Sequence, residues 1–432
     1  MERFMGLAGL LVLLGIAMLF SADRRRIPWR VVIGGVTLQF LLALLLLHGS
    51  VIQQAFDGLA RVATTILDFT DTGAAYIFGP LFDHEALGQA VHDDPKLGYI
   101  FAFKVLPTII FFASLMSVMY HLGIMQCLVR AMALVMRKTL RVSGAESLAM
   151  AANVFVGQTE APLVVRPFVA TMTRSELMAL MTGGFATIAG GVFAAYISML
   201  CGNDPAEKVL FAKHLLCASI MSAPAAFVIA KIMIPETEQP LTMGGARITV
   251  ERETLNVIDA AARGAGDGLK LALNVGAMLL AFLALLAMCD YPLIKLGEWG
   301  PVAEFLAAHE VEQLNIATVL GWVFSPLAWL MGVPWSDASI FGSLLGQKIV
   351  LTEFIAFDSL ASFKDQMDPR SVVIATYALC GFANFGSIAI QLGGIGGIAP
   401  NRRGDLARLG LRAMFGGAMA SWMTAATVGI FL

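Results

Sequence analysis

The stretch Gly157-Gln158-Thr159-Glu160-Ala161-Pro162-Leu163 decides the fold of this chain, together with a second stretch, Val350-Leu351-Thr352-Glu353-Phe354. Each stretch places a Thr-Glu pair within an otherwise apolar segment. A long uncharged segment follows each pair and contains Gly-Phe-Ala and then a polar residue, at residues 184–187 and 381–384. The same order at similar spacing in both halves predicts an internal repeat.

The composition indicates that most of the chain lies in a membrane. Of the 432 residues, 58% are hydrophobic and only 14% are charged, whereas soluble domains carry roughly a quarter charged residues. The net charge of −2 gives no indication of nucleic-acid binding. The five cysteines are scattered without Cys-x-x-Cys spacing, so neither a disulfide framework nor a zinc site is expected.

Apolar stretches recur along the chain at the length of a membrane-crossing helix, which needs about 20 residues. Residues 313–336 are also apolar, but Pro326 and Pro334 favour a buried or interfacial segment there. The prediction is an all-α polytopic membrane protein with about eight transmembrane helices and two opposed re-entrant hairpins. The apolar stretches that predict crossings are residues 5–20, 31–50, 105–129, 177–203, 214–230, 271–289, 371–401 and 413–432.

Positive charge predicts the orientation of these helices. The cluster Arg24-Arg25-Arg26 marks a cytoplasmic loop, and it indicates a retained first helix rather than a cleaved signal peptide. The acidic connection at residues 49–96 fits the outside, and the basic residues within 130–141, 231–263 and 402–412 fit the inside. Both termini are then expected outside, and the two hairpins enter from opposite faces as an inverted repeat.

The predicted organisation has four parts. An N-terminal pair of helices with an interfacial segment forms part of a scaffold, two repeats follow, and a cytoplasmic connection separates those repeats. Unwound backbone lining a cavity is expected at Gly183-Gly184 and at residues 381–386, where polar residues lie among glycines. The boundaries are residues 1–103, then 104–235 (hairpin about 144–170, broken helix about 177–200), then 236–268, then 269–432 (hairpin about 335–363, broken helix about 371–400).

Glu160 and Glu353 are the most informative polar residues, because a charged side chain in a membrane segment costs roughly 2.5–3.5 kcal/mol. Neither has an obvious local ion-pair partner. Each could cap a broken helix, but the pair indicates a wet cavity. With Gln158, Asn384 and Ser387, the carboxylates suit a neutral solute that carries hydroxyl or N–H groups.

A sodium ion would need oxygen ligands. Side-chain oxygens of Asn153 and Thr187, with backbone carbonyls of Val156 and Ile188, could supply them, although spacing alone is a weak signal.

These segments resemble the concentrative nucleoside transporter family. The resemblance extends from about Lys104 to the C-terminus, and the two N-terminal helices fit the shorter bacterial form. Gln347 departs from the family pattern, which has an acidic residue there, and this difference is expected to affect the hairpin mouth rather than the site. The residues that carry the resemblance are the first stretch quoted above, Met181-Thr182-Gly183-Gly184-Phe185-Ala186-Thr187-Ile188-Ala189-Gly190, Lys348-Ile349-Val350-Leu351-Thr352-Glu353-Phe354, and Gly381-Phe382-Ala383-Asn384-Phe385-Gly386-Ser387-Ile388.

The resemblance implies a homotrimer in the bacterial inner membrane that imports nucleosides with sodium by elevator-type movement of a transport domain. Proton coupling, and another neutral polar solute, stay open as alternatives. A leucine within residues 271–286 is expected to touch the base. The implied roles are nucleobase contact for Gln158, Thr159 and Glu160, apolar ligand contact for Val192 and Phe382, ribose binding for Glu353, Asn384 and Ser387, and sodium binding for Asn153, Val156, Thr187 and Ile188.

Two other classes of function are disfavoured. The chain carries no HExxH, GxSxG or paired-aspartate metal motif, so an intramembrane enzyme is not expected. A channel is disfavoured because inverted hairpins are typical of alternating access.

Overall fold

The computed structural model of the protein describes residues 2–81, 100–201, 204–243, 254–308, 311 and 313–432, and the regular structure in these residues is helical. The helices of the N-terminal part and first half are α1 (Glu2–Leu19), α2 (Trp29–His48), α3 (Ser50–Phe78), α4 (Phe101–Lys104), α5 (Leu106–His121), α6 (Ile124–Leu140), α7 (Gly144–Asn153), α8 (Ala161–Val164), α9 (Arg166–Val169), α10 (Arg174–Ala186), α11 (Gly190–Cys201) and α12 (Pro205–Met233). Those of the second half are α13 (Val257–Gly297), α14 (Gly300–Ala308), α15 (Ile316–Leu330), α16 (Trp335–Val350), α17 (Glu353–Phe363), α18 (Pro369–Leu379), α19 (Phe385–Ile398) and α20 (Arg403–Phe431).

The eight predicted crossings correspond to eight described segments, five of which are long and apolar enough to span a membrane alone. Helices α2, α12 and α13, the segment Phe101–His121 and the segment Pro400–Phe431 are each long and apolar enough to cross alone. Helix α1 is a shorter apolar helix, and the pairs α10–α11 and α18–α19 are each interrupted by a few non-helical residues. Helices α15 and α16 are bent by 118° relative to each other, so residues 313–336 form no straight crossing, as predicted.

Each predicted hairpin consists of short helices around a non-helical tip. In the first, α7 ends at Asn153, residues 154–160 are not helical, and α8 and α9 follow. In the second, α16 and α17 meet at residues 351–352, and the Ser359 hydroxyl of α17 donates to the Gln347 side chain of α16 at 2.7 Å. Gln347 therefore links the two arms of the second hairpin.

The break in the first crossing helix differs from the predicted position, whereas the break in the second largely coincides with the predicted residues 381–386. Gly183 and Gly184 are helical within α10, so the prediction of unwound backbone there was wrong. Their missing side chains instead make room for the first hairpin: a Cβ on Gly183 would lie 2.6 Å from Met150 Sδ, and a Cβ on Gly184 would lie 2.9 Å from Gln158 Cβ. The first break falls at residues 187–189, and the second falls at residues 380–384.

The connections also differ in part from the prediction. Helix α3 occupies much of the connection that was expected on the outside, and residues 82–99 of that connection lie outside the described residues. Helix α13 begins at Val257, inside the predicted cytoplasmic connection, because Asn256 caps it by accepting a hydrogen bond from Asp259 N at 2.9 Å. Residues 244–253 of that connection also lie outside the described residues.

The starts of α7 and α10 are fixed together by buried polar residues. Each helix begins with a capping box, Ser143 with Glu146 and Thr173 with Glu176. The Ser143 hydroxyl also donates to Glu176 at 2.5 Å, and the ammonium of Lys231 in α12 lies 2.7 Å from Glu146. The base of the first hairpin is thereby tied to the first broken helix and to α12.

Candidate functional site

Glu353 lies at the tip of the second hairpin, where it is 3% exposed. It is the first residue of α17, and Thr352 caps that helix. Its Oε2 atom accepts a hydrogen bond from Asn384 Nδ2 at 2.7 Å. Asn384 caps α19 through a hydrogen bond from Ser387 N to its Oδ1 at 2.8 Å. Asn384 therefore joins the hairpin tip to the second break.

Tyr196 is a neighbour of Glu353 that sequence reasoning missed. Its ring is fully buried, stacks on Phe357 with 4.2 Å between ring centroids, and meets Phe354 edge-on. Its hydroxyl lies beside the Glu353 carboxylate, but it forms no hydrogen bond of good geometry with any residue in the described part of the chain. Apart from this interaction with Glu353, the hydroxyl has no partner among the described residues, so it is available to a ligand.

Lys348 corrects the expectation that Glu353 lacks a local charged neighbour. The lysine lies in the last turn of α16, is completely buried, and interacts electrostatically with Glu353. Its Nζ atom donates to the carbonyls of Ala378 at 2.9 Å and Cys380 at 3.2 Å. Because these carbonyls occupy the ammonium, Lys348 is not placed to bind an anionic substrate.

The tip of the first hairpin contacts the second half of the chain. Gln391 Nε2 in α19 donates to Gln158 Oε1 at 3.0 Å and to the Met181 carbonyl at 3.0 Å. Thr159 packs against Gly394, where an added Cβ would lie 3.1 Å from Thr159 Cγ2. Gln391 is a second residue that the sequence analysis did not single out.

Glu160 differs from Glu353 in its surroundings. Its side chain is solvent-exposed although protein surrounds it on most sides. The carboxylate interacts electrostatically with Asp267 of α13 and with Tyr120 of α5. Glu160 therefore faces an open space between the first hairpin and these two helices.

Both hairpin tips converge on one helix. Asn384, Ser387 and Gln391 lie on one face at the start of α19, since residues three and seven positions apart share a helix face. Asn384 holds Glu353 and Gln391 holds Gln158. The two attachment points are separated by about 10 Å along the helix axis, given a rise of roughly 1.5 Å per residue.

The second break crosses the C-terminal end of α10. Gly381 has φ +114°, and a Cβ there would lie 2.6 Å from the Phe185 carbonyl oxygen, so the crossing requires glycine. Phe382 follows within the second break and is 8% exposed. Val192 is 2% exposed and lies one turn before Tyr196 on α11. Phe382 and Val192 thus border the same region as Glu353.

The residues with a predicted sodium role lie between the first hairpin and the first break. Asn153 is 1% exposed, and neither polar atom of its amide has a hydrogen-bond partner among the described residues. Thr187 Oγ1 donates to the Gly183 carbonyl at 2.8 Å, and a Cβ on Gly183 would lie 3.2 Å from the Asn153 Nδ2.

Val156 and Ile188 lie on adjoining stretches of non-helical chain. Gly190 N donates to the Phe155 carbonyl at 3.0 Å, which brings residues 155–157 against residues 188–190. Within the described part of the chain, the carbonyls of Val156 and Ile188 accept no hydrogen bond. Free carbonyls beside a buried, unpartnered amide fit a hard monovalent cation, which takes oxygen ligands.

Comparison with known families identifies the kind of protein. Residues 8–81 match the family described as the Na+ dependent nucleoside transporter N-terminus, and residues 214–429 match its C-terminus. Residues 102–201 match a family described as nucleoside recognition. The chain belongs to the Na+ dependent nucleoside transporter family. Members of this family are transporters rather than enzymes, and sodium is the coupling ion that the family is named for.

Relatives of this transporter occur in bacteria and animals. An uncharacterized transporter, YutK, of Bacillus subtilis (strain 168) is 42% identical over 100% of both chains. Solute carrier family 28 member 3 of Mus musculus is 39% identical over 99% of this chain and 59% of the mouse protein. The chain therefore spans about 59% of that animal relative.

Solved structures of one relative match the whole fold of this transporter. CNTnw in an inward-facing substrate-bound state is 40% identical, with a TM-score of 0.88 over 100% of this chain and 98% of that chain. A double variant of CNTnw in an outward-facing state matches with a TM-score of 0.89 at the same identity and coverage. At this similarity the fold of the two proteins is the same, with its two hairpins and inverted repeat.

Proposed function

We propose that this transporter is a secondary active symporter that imports nucleosides with sodium by elevator-type alternating access. The observation that carries the proposal is the convergence of both hairpin tips on α19, where Asn384 holds Glu353 and Gln391 holds Gln158. This arrangement places hydrogen-bonding groups from both halves of the chain on one face of one helix. A solute bound there would contact both repeats.

The ribose of the nucleoside is assigned to the end near the second hairpin. Glu353 is an acceptor suited to sugar hydroxyls, and Asn384 and Ser387 add polar groups on the adjoining turn of α19. The hydroxyl of Tyr196 lies beside Glu353 and would donate to it or to the sugar. Phe382 and Val192 supply apolar contact at the same end.

The nucleobase is assigned to the end near the first hairpin. Gln158 offers an amide that can pair with the polar edge of a base, while Thr159 and Glu160 are exposed and would act through water. Leu271 is our choice for the apolar base contact within residues 271–286. It lies one turn after Asp267, whose charge acts on Glu160, and it is partly buried against the core.

Coupling follows from the packing of α10. Asn153 contacts Gly183, and Gln158 contacts the next residue, Gly184. A sodium ion held by Asn153, Val156, Thr187 and Ile188 would fix the end of the first hairpin that presents Gln158, Thr159 and Glu160. The ion would then favour the nucleoside-binding conformation, which is the difference in affinity that coupling requires.

The assembly and orientation belong to the same proposal. Helix α13 exposes most of its apolar side chains, whereas α12 and α20 are largely buried, so α13 would face lipid or other copies of the chain. We assign it, with the N-terminal helices, to the scaffold of a homotrimer. The positive-charge pattern supports an orientation with both termini outside, and we assign the transporter to the bacterial inner membrane.

The test is uptake of labelled uridine and adenosine into proteoliposomes, with an inward gradient of sodium, potassium or protons supplied in turn. Accumulation driven by sodium alone, with counterflow, is the expected result. Uptake driven by a pH gradient without sodium would replace sodium with protons as the coupling ion. If the protein accumulates another solute and neither uridine nor adenosine competes with it, the substrate assignment is wrong.

A further inference from the structure

The two repeats contain equivalent pairs of backbone carbonyls, but different groups donate hydrogen bonds to them. When the two Gly-Phe-Ala triplets are aligned, Ala378 and Cys380 correspond to Met181 and Gly183. In the first repeat, the Met181 carbonyl accepts from the Gln391 amide and the Gly183 carbonyl accepts from the Thr187 hydroxyl. Both donors are neutral.

In the second repeat one cation contacts both carbonyls, and the Ser421 hydroxyl also donates to the Cys380 carbonyl at 2.6 Å. Lys348 Nζ donates to Ala378 and Cys380 from the last turn of α16. Helix α18 ends at Leu379, so the ammonium lies at the negative end of that helix dipole. A fully buried ammonium without such partners would be very costly, and the contact therefore fixes α16 against the second break.

The first repeat has an unpartnered amide at the matching place. Asn153 is the last residue of α7, as Lys348 lies in the last turn of α16, and each belongs to the first helix of its hairpin. The Asn153 side chain reaches Gly183, which aligns with Cys380. Its buried amide has no partner within the described residues.

We propose that the Lys348 ammonium holds the second hairpin against the second break, as a bound sodium ion holds the first hairpin against the first break. Lys348 is therefore a positioning residue. Because it occupies the cation position of the second repeat, only the first repeat binds a sodium ion. This inference rests on the proposed sodium site at Asn153.

The balance of charge supports the same assignment. The second junction contains one cation, Lys348, and one carboxylate, Glu353, which interact electrostatically. At the first junction Asn153 is a neutral amide, while the Glu160 carboxylate faces Tyr120 and Asp267. A sodium ion bound at Asn153 would give the first junction the buried cation that Lys348 supplies at the second.

The experiment replaces Lys348 by the residue that the first repeat uses. In Lys348→Asn, the second junction loses its cation and gains an amide, so we expect sodium to enter there as well. The sodium dependence of uridine uptake should steepen, with a Hill coefficient rising from about one to about two, and half-maximal sodium should rise by about tenfold. Lys348→Arg keeps the charge and should retain the shallow dependence. Lys295→Met removes an exposed lysine of α13 and serves as the matched control.

Sodium-dependent thermal stability of the purified protein without nucleoside gives a readout that is independent of transport. Lys348→Asn should show a second, weaker stabilisation by sodium. An assembled Lys348→Asn protein with the sodium response of the parent, or with uptake lost at every sodium concentration and one-site stabilisation, would overturn the inference. If Lys348→Asn does not assemble, Lys348→Arg decides: a steep, two-site sodium dependence there would overturn the inference, and a one-site dependence would support it. A parent protein that does not respond to sodium would instead overturn the proposed function.

Discussion

The two hairpin tips carry the same Thr-Glu pair but hold it differently. At the second tip only two residues separate α16 from α17, Thr352 caps α17, and the following Glu353 is buried against Asn384. At the first tip seven residues are non-helical, and Glu160 itself occupies the cap position of α8 with its side chain in solvent. The difference shows that the protein holds the second carboxylate in one position, whereas it leaves the first carboxylate exposed.

The largest effect is expected at the fixed carboxylate. Glu353→Gln replaces an acceptor by an amide whose donor would oppose Asn384 Nδ2. Hydrogen bonds to charged groups contribute about 1.5–3 kcal/mol, so uridine uptake at low substrate should fall roughly ten- to a hundredfold. Initial uptake rates in proteoliposomes with equal amounts of assembled protein would measure this loss.

Glu298→Gln is the matched control, because Glu298 is exposed and pairs only with Lys295 in the described structure. Normal uptake by Glu353→Gln at low uridine would remove Glu353 from the ribose role. It would also remove the functional distinction between the fixed carboxylate of Glu353 and the exposed carboxylate of Glu160.

The next effect concerns the ion rather than the nucleoside. Asn153→Ala removes the buried amide beside the first break, and loss of one ligand should raise half-maximal sodium by about tenfold. Uridine affinity at saturating sodium should change by less than about twofold, because the tip of the first hairpin is then still held by the ion. Sodium titration of uptake separates these two quantities, and Asn401→Ala at an exposed position is the control. An unchanged sodium requirement would contradict the ion site.

The sequence alone predicted the architecture well because charges are rare and costly in membrane segments. The lengths of the uncharged stretches predicted the membrane-crossing helices, and the recurring Thr-Glu pairs predicted both hairpins. It misplaced the first unwound segment because Gly183 and Gly184 make room for Met150 and Gln158 instead of breaking α10. That role depends on packing between distant segments, which local patterns do not encode.

The site was predictable only where a polar residue stood in an apolar run. Lys348, Tyr196 and Gln391 escaped attention since each one matters through a tertiary contact. The Gln391 contact joins residues 233 positions apart, and that of Lys348 joins residues about 30 apart. No local spacing marks either contact.

Gln391 contacts the tip of the first hairpin, and its replacement tests how that tip is held. Gln391→Ala removes two neutral hydrogen bonds and leaves the Gln158 carbonyl oxygen without its donor. With roughly 1 kcal/mol at stake, the uridine concentration for half-maximal uptake should rise about fivefold, while the maximal rate is retained. Gln313→Ala, at an exposed position, is the control. A lower maximal rate with unchanged half-saturation would place Gln391 in the transport movement instead of in substrate positioning.

The smallest effect is expected at Tyr196, whose ring and hydroxyl have separable roles. Tyr196→Phe keeps the stacking on Phe357 and removes only the hydroxyl beside Glu353. Since that hydroxyl makes no good hydrogen bond within the described protein, its removal should not destabilise the fold, and it should reduce uridine affinity only about two- to fivefold. A matched Tyr291→Phe change at an exposed ring should have no effect. If Tyr196→Phe lowered thermal stability without nucleoside but left uridine affinity intact, the hydroxyl would serve the resting protein. The tip of the second hairpin would then be held by protein contacts alone, and the Tyr196 hydroxyl would have no role in nucleoside binding.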